Sequence, residues 1–416
     1  MLAARQDING CSSRVPSTPF GYDPPVTPSL SRIIRLQFCW VGTYALSMFL
    51  VPTWVESGMA PATAMQWMSV LPLGLLLCGP TWAWLADRHI GRQRALVLSA
   101  TMASVAGVTL LAPPPIAPVA LVMFAIARAP IAPMLDAASL HALGRDNAHY
   151  GTLRAWGSMA FIGVALIQGV LRDVLPGTLW MIPCVILMAV TAWDTRKLDA
   201  PAPQAGGGSL LQLLQTPGLV SLLLIGMLQG MTLSHHDLLF SMKVSEAGLS
   251  NQVVSWGALL GVGCEVVLMR NASLWLNRWG AGSMLVVATW AGPLRWWVIS
   301  QTTDPTWLIA IQALHGLSFG AFWIASVALV AQAAPPSLSN STQALLPAAT
   351  FGVGTLASMQ LSSHLWPVLG PDGLYACMAV IAVTAALGAT VRHLMLGIRA
   401  RRASRESAPR TVTNHE

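Results

Sequence analysis

Long apolar stretches alternate with short polar breaks along nearly the whole chain. They run near residues 36–55, 62–85, 95–113, 117–140, 155–171, 176–193, 218–240, 252–274, 283–300, 306–334, 342–366 and 373–396. A helix needs about 20 largely apolar residues to cross a bilayer. The pattern therefore predicts an all-α integral membrane protein with twelve transmembrane helices. The runs at 176–193 and 342–366 are the most interrupted, by Pro183, Pro347 and small polar residues, which membrane helices tolerate. Residues 1–31 are polar, rich in proline and serine, and hold no apolar core of leader-peptide length; they predict a disordered cytosolic tail.

Composition agrees with a lipid setting. The chain is 54% hydrophobic and 9% charged, against about a quarter charged in soluble domains, so it lacks the polar surface that water demands. The formal charge of +7 does not point to nucleic acid, because the basic residues sit at the ends of apolar runs. Placing Arg5, Arg14, Arg32, Arg35, Arg88, Arg92, Arg94, Arg145, Arg154, Arg196, Lys197, Arg270, Arg278, Arg392 and the arginines of the basic tail beyond it on one side, with Arg128 and Arg295 within spans, leaves only Arg172 and Lys243 on the other. Cytoplasmic loops hold most lysine and arginine. The bias predicts an even number of spans, both termini in the cytosol, and residence in the inner membrane.

The segment from Asp194 to Pro217, with Pro201, Pro203 and Gly206-Gly207-Gly208, reads as a flexible cytosolic linker. It divides the chain into a tail (1–31), a six-helix half (32–193), the linker (194–217), a second six-helix half (218–396) and a basic cytosolic tail (397–416). Asp87-Arg88 before Gly91 is echoed by Asn277-Arg278 before Gly280, as an internal duplication would produce. Small residues four apart, at Gly226/Gly230, Gly257/Gly261 and Gly316/Gly320, predict close helix packing. The six cysteines are scattered singly, with no disulfide or metal spacing.

Three segments carry a family resemblance. Leu85 to Arg94, containing Asp87, Arg88, Gly91 and Arg92, resembles the loop between the second and third helices of the major facilitator superfamily, with Ala83 where a glycine is usual and one extra residue before Gly91. Leu143-Gly144-Arg145-Asp146 followed by Tyr150 to Ser158 is similar to the entry of span five in its lactose-permease and phenylpropionate-permease branch. Gln312 to Phe319 is similar to span ten of that branch. The glycine- and proline-rich span-five signature of drug/proton antiporters is missing. The resemblance implies proton symport, a gating charge network at Asp87, Arg88, Gly91 and Arg92, and a substrate contact at Arg154.

Ionisable residues within spans are functional candidates because burying a charge in lipid is expensive. Arg128 falls near the middle of span four, Glu265 on span eight, Arg295 on span nine and His315 on span ten. The last three match the charged cluster of lactose permease, which implies proton coupling with Glu265 as the proton site; the acidic neighbour of the span-ten histidine has no counterpart, since Ser318 and Phe319 follow. Asp136 is eight residues from Arg128, about 12 Å along a helix, which leaves Arg128 available to a substrate carboxylate or another helix. Gln312 and Trp323 complete the substrate-binding candidates, Trp323 as a stacking surface or as ordinary packing. His235 and His236 diverge by about 100° on a helix, which disfavours a shared metal and favours a place lining the cavity or its rim.

These readings predict a monomeric secondary transporter for a small organic solute and protons, without cofactor or metal. An exporter and a non-transporting sensor are the alternatives. No zinc motif, nucleophile elbow or phosphate loop is present, so an enzyme is not expected.

Overall fold

The structure, a computed structural model, describes residues 28–112, 116–143, 150–198, 218–333 and 345–406; the side chains at 28, 29, 83, 87, 88, 92, 137, 140–143, 150–155, 273 and 400–406 are not among those described. These residues form helical rods only: α1 (28–56), α2 (61–90), α3 (Arg92–Thr109), α4 (117–143), α5 (Tyr150–Val174), α6 (179–195), α7 (Leu219–Glu246), α8 (252–279), α9 (281–301), α10 (305–333), α11 (345–369) and α12 (371–406). An all-helical answer follows from the apolar runs, because lipid offers backbone groups no partner and a helix satisfies them internally.

Eight helical segments among the described residues are long and apolar enough to cross a membrane. The sequence predicted twelve spans, and the difference has a compositional cause. Helix α3 begins with Arg92 and Arg94 and is rich in alanine, serine and threonine, α9 carries Arg295 among tryptophans, α6 is short, and α11 and α12 run on as one segment, Leu345–Arg399. Proline falls where a helix tolerates it. Pro183 lies in the first turn of the helix Ile182–Thr195, where the missing N–H is not needed.

The exterior is apolar, and the interior, itself largely apolar, holds the buried polar side chains. Val119, Ile186, Val267, Val368 and Val380 are exposed, whereas Gln37, Ser99, Gln168, Gln229 and Thr289 are buried. A belt of exposed branched aliphatics is stable only against hydrocarbon.

The echo between Gly91 and Gly280 is structural. Gly91 takes φ 79, ψ 150 and Gly280 takes φ 73, ψ 154, a left-handed corner open to glycine. The two glycines thus turn α2 into α3 and α8 into α9 by the same backbone device.

Helices α1 to α6 pack on one another, with Arg35 of α1 paired to Asp194 of α6 and Gln93 of α3 donating to the carbonyl of Arg196 at 3.0 Å. Helices α7 to α12 form a second packed group. The groups meet through α1 with α7, α2 with α11 and α5 with α8. Among the described residues, the hydrogen bonds joining them lie toward the end away from the chain termini: Ser241 to the Met48 carbonyl, Gln360 Nε2 to Ser69 Oγ at 2.9 Å, Ser255 Oγ to the Ala165 carbonyl at 2.6 Å, and Asp173 accepting from Ser250 and Asn251. Asp173 caps the start of α8 from the other group, taking the Asn251 backbone N–H at 3.1 Å.

Candidate functional site

Glycines bring α8 and α10 close enough for their polar residues to meet. A Cβ on Gly261 would stand 3.1 Å from His315 Cβ, one on Gly316 2.9 Å from the Cys264 backbone, and one on Gly320 3.3 Å from Glu265 Cγ. The small-residue pairs read from the sequence therefore do pack closely, and they do so around the candidate charges.

Glu265, Arg295 and His315 are all buried and form one chain. Arg295 Nη1 lies 3.0 Å from His315 Nδ1, and His315 Nε2 lies 3.2 Å from Glu265 Oε2. An arginine only donates, so Nδ1 must accept; the ring proton then sits on Nε2 and is donated to the Glu265 carboxylate. This tautomer makes His315 a neutral relay between cation and anion. Arg295 also donates to Ser318 Oγ at 3.2 Å and to Gln312 Oε1 at 2.5 Å, with its guanidinium 4.4 Å from the ring centre of Trp296. Gln312, expected at the substrate, is buried, and its amide donates to the Leu308 carbonyl at 2.9 Å. It positions the arginine.

The sequence reading placed His235 and His236 at a cavity wall or rim, and the structure corrects this. Both are buried: His235 Nδ1 is 3.0 Å from Ser362 Oγ, and His236 Nδ1 is 3.0 Å from the Tyr375 hydroxyl. Each has a polar partner on α11 or α12, which lets the rings sit inside the packed group. No group of metal-binding residues exists among the described residues. Asp237, the next residue, is exposed.

On the other group, half-buried Arg128 stacks over Tyr44 at 5.0 Å and Phe124 at 5.5 Å. It has no carboxylate or hydrogen-bond partner among the described residues. Asp136 accepts from Gln37 Nε2 at 3.2 Å. Trp323 belongs to a half-buried aromatic set, 6.3 Å from Phe319 and 5.3 Å from Phe351 between ring centres, and Phe319 stacks on His315 at 5.3 Å. The side chains of Arg154, Asp87, Arg88 and Arg92 lie outside those described; of the gating candidates only the Gly91 corner is on view.

Sequence reasoning missed Ser318, Gln229 and Tyr375. Gln229 of α7 donates to the Ser318 carbonyl at 2.7 Å, and Tyr375 joins α12 to α7. Their only sequence signal was a polar side chain inside an apolar run, which many span residues share.

The Probable 3-phenylpropionic acid transporter of Escherichia coli (strain K12) is 28% identical over 268 residues, 62% of this chain and 69% of that protein. The Maltose permease of Geobacillus stearothermophilus is 24% identical over 312 residues, covering 72% and 78%. Among solved structures, the nucleoside transporter NupG superposes with a TM-score of 0.71 at 15% identity over 86% of this chain and 97% of its own. An auto-inhibited POT family peptide transporter gives 0.70 at 15% identity over 94% and 99%. At such identities these two structures speak for the fold. The MFS_1 like family model matches residues 34–376, and with most of the chain inside that match, this multi-pass membrane protein belongs to the MFS_1 like family and is a transporter rather than an enzyme.

Proposed function

We propose that the chain is a proton-coupled symporter that takes up a small organic solute across the inner membrane by alternating access. The observation that carries this reading is the unbroken chain Glu265–His315–Arg295 inside the apolar body of the protein. The chain joins an acid that can carry a proton to a cation whose movement would make or break the bonds between them. The proposed architecture is twelve spans in two six-helix halves, 32–193 and 218–396, with the linker 194–217 and the tails 1–31 and 397–416 in the cytosol. On that topology the end where the halves meet faces outward, and the conformation opens toward the cytosol.

The topology has a direct check. Single cysteines introduced at positions 5, 196 and 405 should react with an impermeant reagent only from the cytosolic side, and those at 172 and 243 only from outside. Tails found on opposite faces would remove the twelve-span arrangement.

For the solute, Arg128, which has no counter-ion among the described residues, and the set Phe319, Trp323 and Phe351 favour an aromatic carboxylate, and the relative named for 3-phenylpropionic acid lends support. The test is uptake of labelled 3-phenylpropionate by vesicles holding the purified protein. Accumulation is expected under an inward proton gradient and should collapse with a protonophore. Arg128→Gln should raise KM at least about tenfold, since a hydrogen bond to a charged group contributes about 1.5–3 kcal/mol. Gradient-independent equilibration, outward pumping, or binding without flux would each replace the symport reading.

A further inference from the structure

Apolar troughs run along the outside of the second group. One, about 510 Å³, lies between α9 and α12 near Pro293, Trp297, Cys377 and Val380, and no charged or amide side chain lines it. Another, about 670 Å³, follows α8 along Trp256, Leu260, Gly263, Val267 and Asn271, with Ile309 of α10 on its flank. Spacings of four and three residues put this stripe on one face of the helix. That face is turned outward, since Trp256 and Val267 are exposed, whereas Glu265 is buried toward Gly320 of α10. Gly263 leaves the trough its depth: nothing stands within 4 Å of a Cβ added there.

The α8 trough differs from its neighbour at the end where the basic residues gather. The helix continues through Asn271, whose carbonyl accepts the Trp275 backbone N–H at 3.3 Å. Trp275, which also lines the trough, and Arg278 therefore follow Asn271 on the same face, four and seven residues on. Arg270 stands beside Asn271 in the chain. Both arginines are exposed, and neither has an ion pair or hydrogen bond among the described residues. Arg392, by contrast, donates to the Gly218 carbonyl at 3.3 Å, and Arg35 of the first group is paired to Asp194. No described acid of the second group stands at this end: Glu246, Asp304 and Asp372 are at the other, and Asp237 and Glu265 lie within α7 and α8. Trp275 and Trp279, ring centres 5.1 Å apart, mark the depth at which headgroups begin, where bilayers favour tryptophan.

A trough facing hydrocarbon is filled by lipid chains, and unpaired cations at its headgroup end select an anionic lipid. We infer that the α8 trough binds one anionic phospholipid, with an acyl chain lying over Gly263 and the phosphate held by Arg270 and Arg278. On the topology proposed above, that lipid belongs to the inner leaflet. Gly263 and Glu265 are about 200° apart around the helix, so the lipid lies on the side of α8 away from the Glu265–His315 contact.

The experiment is native mass spectrometry of the purified full-length protein with an equal mixture of phosphatidylglycerol and phosphatidylcholine carrying the same dioleoyl chains. The wild type should retain one phosphatidylglycerol with a preference of at least about tenfold, and Arg270→Gln and Arg278→Gln should each lower that preference about fivefold, the worth of one arginine at anionic headgroups. Arg399→Gln removes an exposed arginine of α12 that does not line the trough, and the preference should stay within about twofold. Gly263→Leu fills the trough and should lower retention of both lipids without changing their ratio. Equal retention of the two lipids by the wild type, or an Arg399→Gln effect as large as that of Arg278→Gln, would overturn the site in favour of a diffuse basic rim. Unchanged retention in Gly263→Leu would overturn the trough as the seat, and a dimer in place of bound lipid would give the trough to a second copy of the chain. None of these results touches the symport reading, which the uptake assay decides separately.

Discussion

Glu265→Gln is expected to abolish accumulation driven by a proton gradient, a loss of at least about tenfold in the steady-state ratio, while counterflow exchange of the solute continues. The substitution keeps the shape of the side chain and an oxygen that accepts from His315 Nε2, 3.2 Å away in the wild type, so the bonds from Arg295 to His315, Gln312 and Ser318 have no cause to rearrange. What disappears is the titratable charge. A carrier locked in the protonated form binds and exchanges solute but releases no proton, and without that release the gradient does no work on the solute. Accumulation at the wild-type level would make Glu265 a structural residue and move the search for the proton site to Asp237 or Asp136.

Gly230→Leu is expected to remove most folded protein from the membrane. A Cβ at Gly230 would lie 2.0 Å from the carbonyl oxygen of Thr350 on α11, with the Thr350 carbon and Cα also within 3.0 Å. The obstruction is backbone, which cannot rotate aside, so α7 and α11 must separate. Overpacking costs about 1–3 kcal/mol where side chains can yield, and here the cost is larger because a helix must move. Separation would also draw Gln229 off the Ser318 carbonyl and disturb the Arg295 cluster. Gly263 is the control: nothing stands within 4 Å of its added Cβ, so Gly263→Leu should leave the melting temperature within a few degrees. Equal melting temperatures for the two variants would show that the α7–α11 approach is not tight in the membrane.

How legible the fold was depends on the kind of signal. Apolar length is a local property, so the positions of the rods followed from the runs, with 252–274 and 283–300 falling inside α8 and α9. The glycine pairs were legible for the same reason, since four-residue spacing puts both on one face of a helix. Histidines 235 and 236 were misplaced because burial depends on partners far along the chain. Ser362 and Tyr375 lie more than a hundred residues away, and no local pattern announces them.

The sequence by itself determined that this protein lives in lipid as a bundle of helices, that basic residues gather at one set of helix ends, and which few charges are stranded in apolar runs. These follow from hydropathy and from the cost of placing charge in hydrocarbon, both readable one residue at a time. Only the tertiary structure decided which of those charges meet. It closed Glu265, His315 and Arg295 into one buried chain, set Gln312 against the arginine, and left Arg128 without a hydrogen-bond or ion-pair partner among the described residues. The reason is geometric: a hydrogen bond is made or lost over about an ångström, and that separation is set by how closely α8 approaches α10 and where α1 leaves α7.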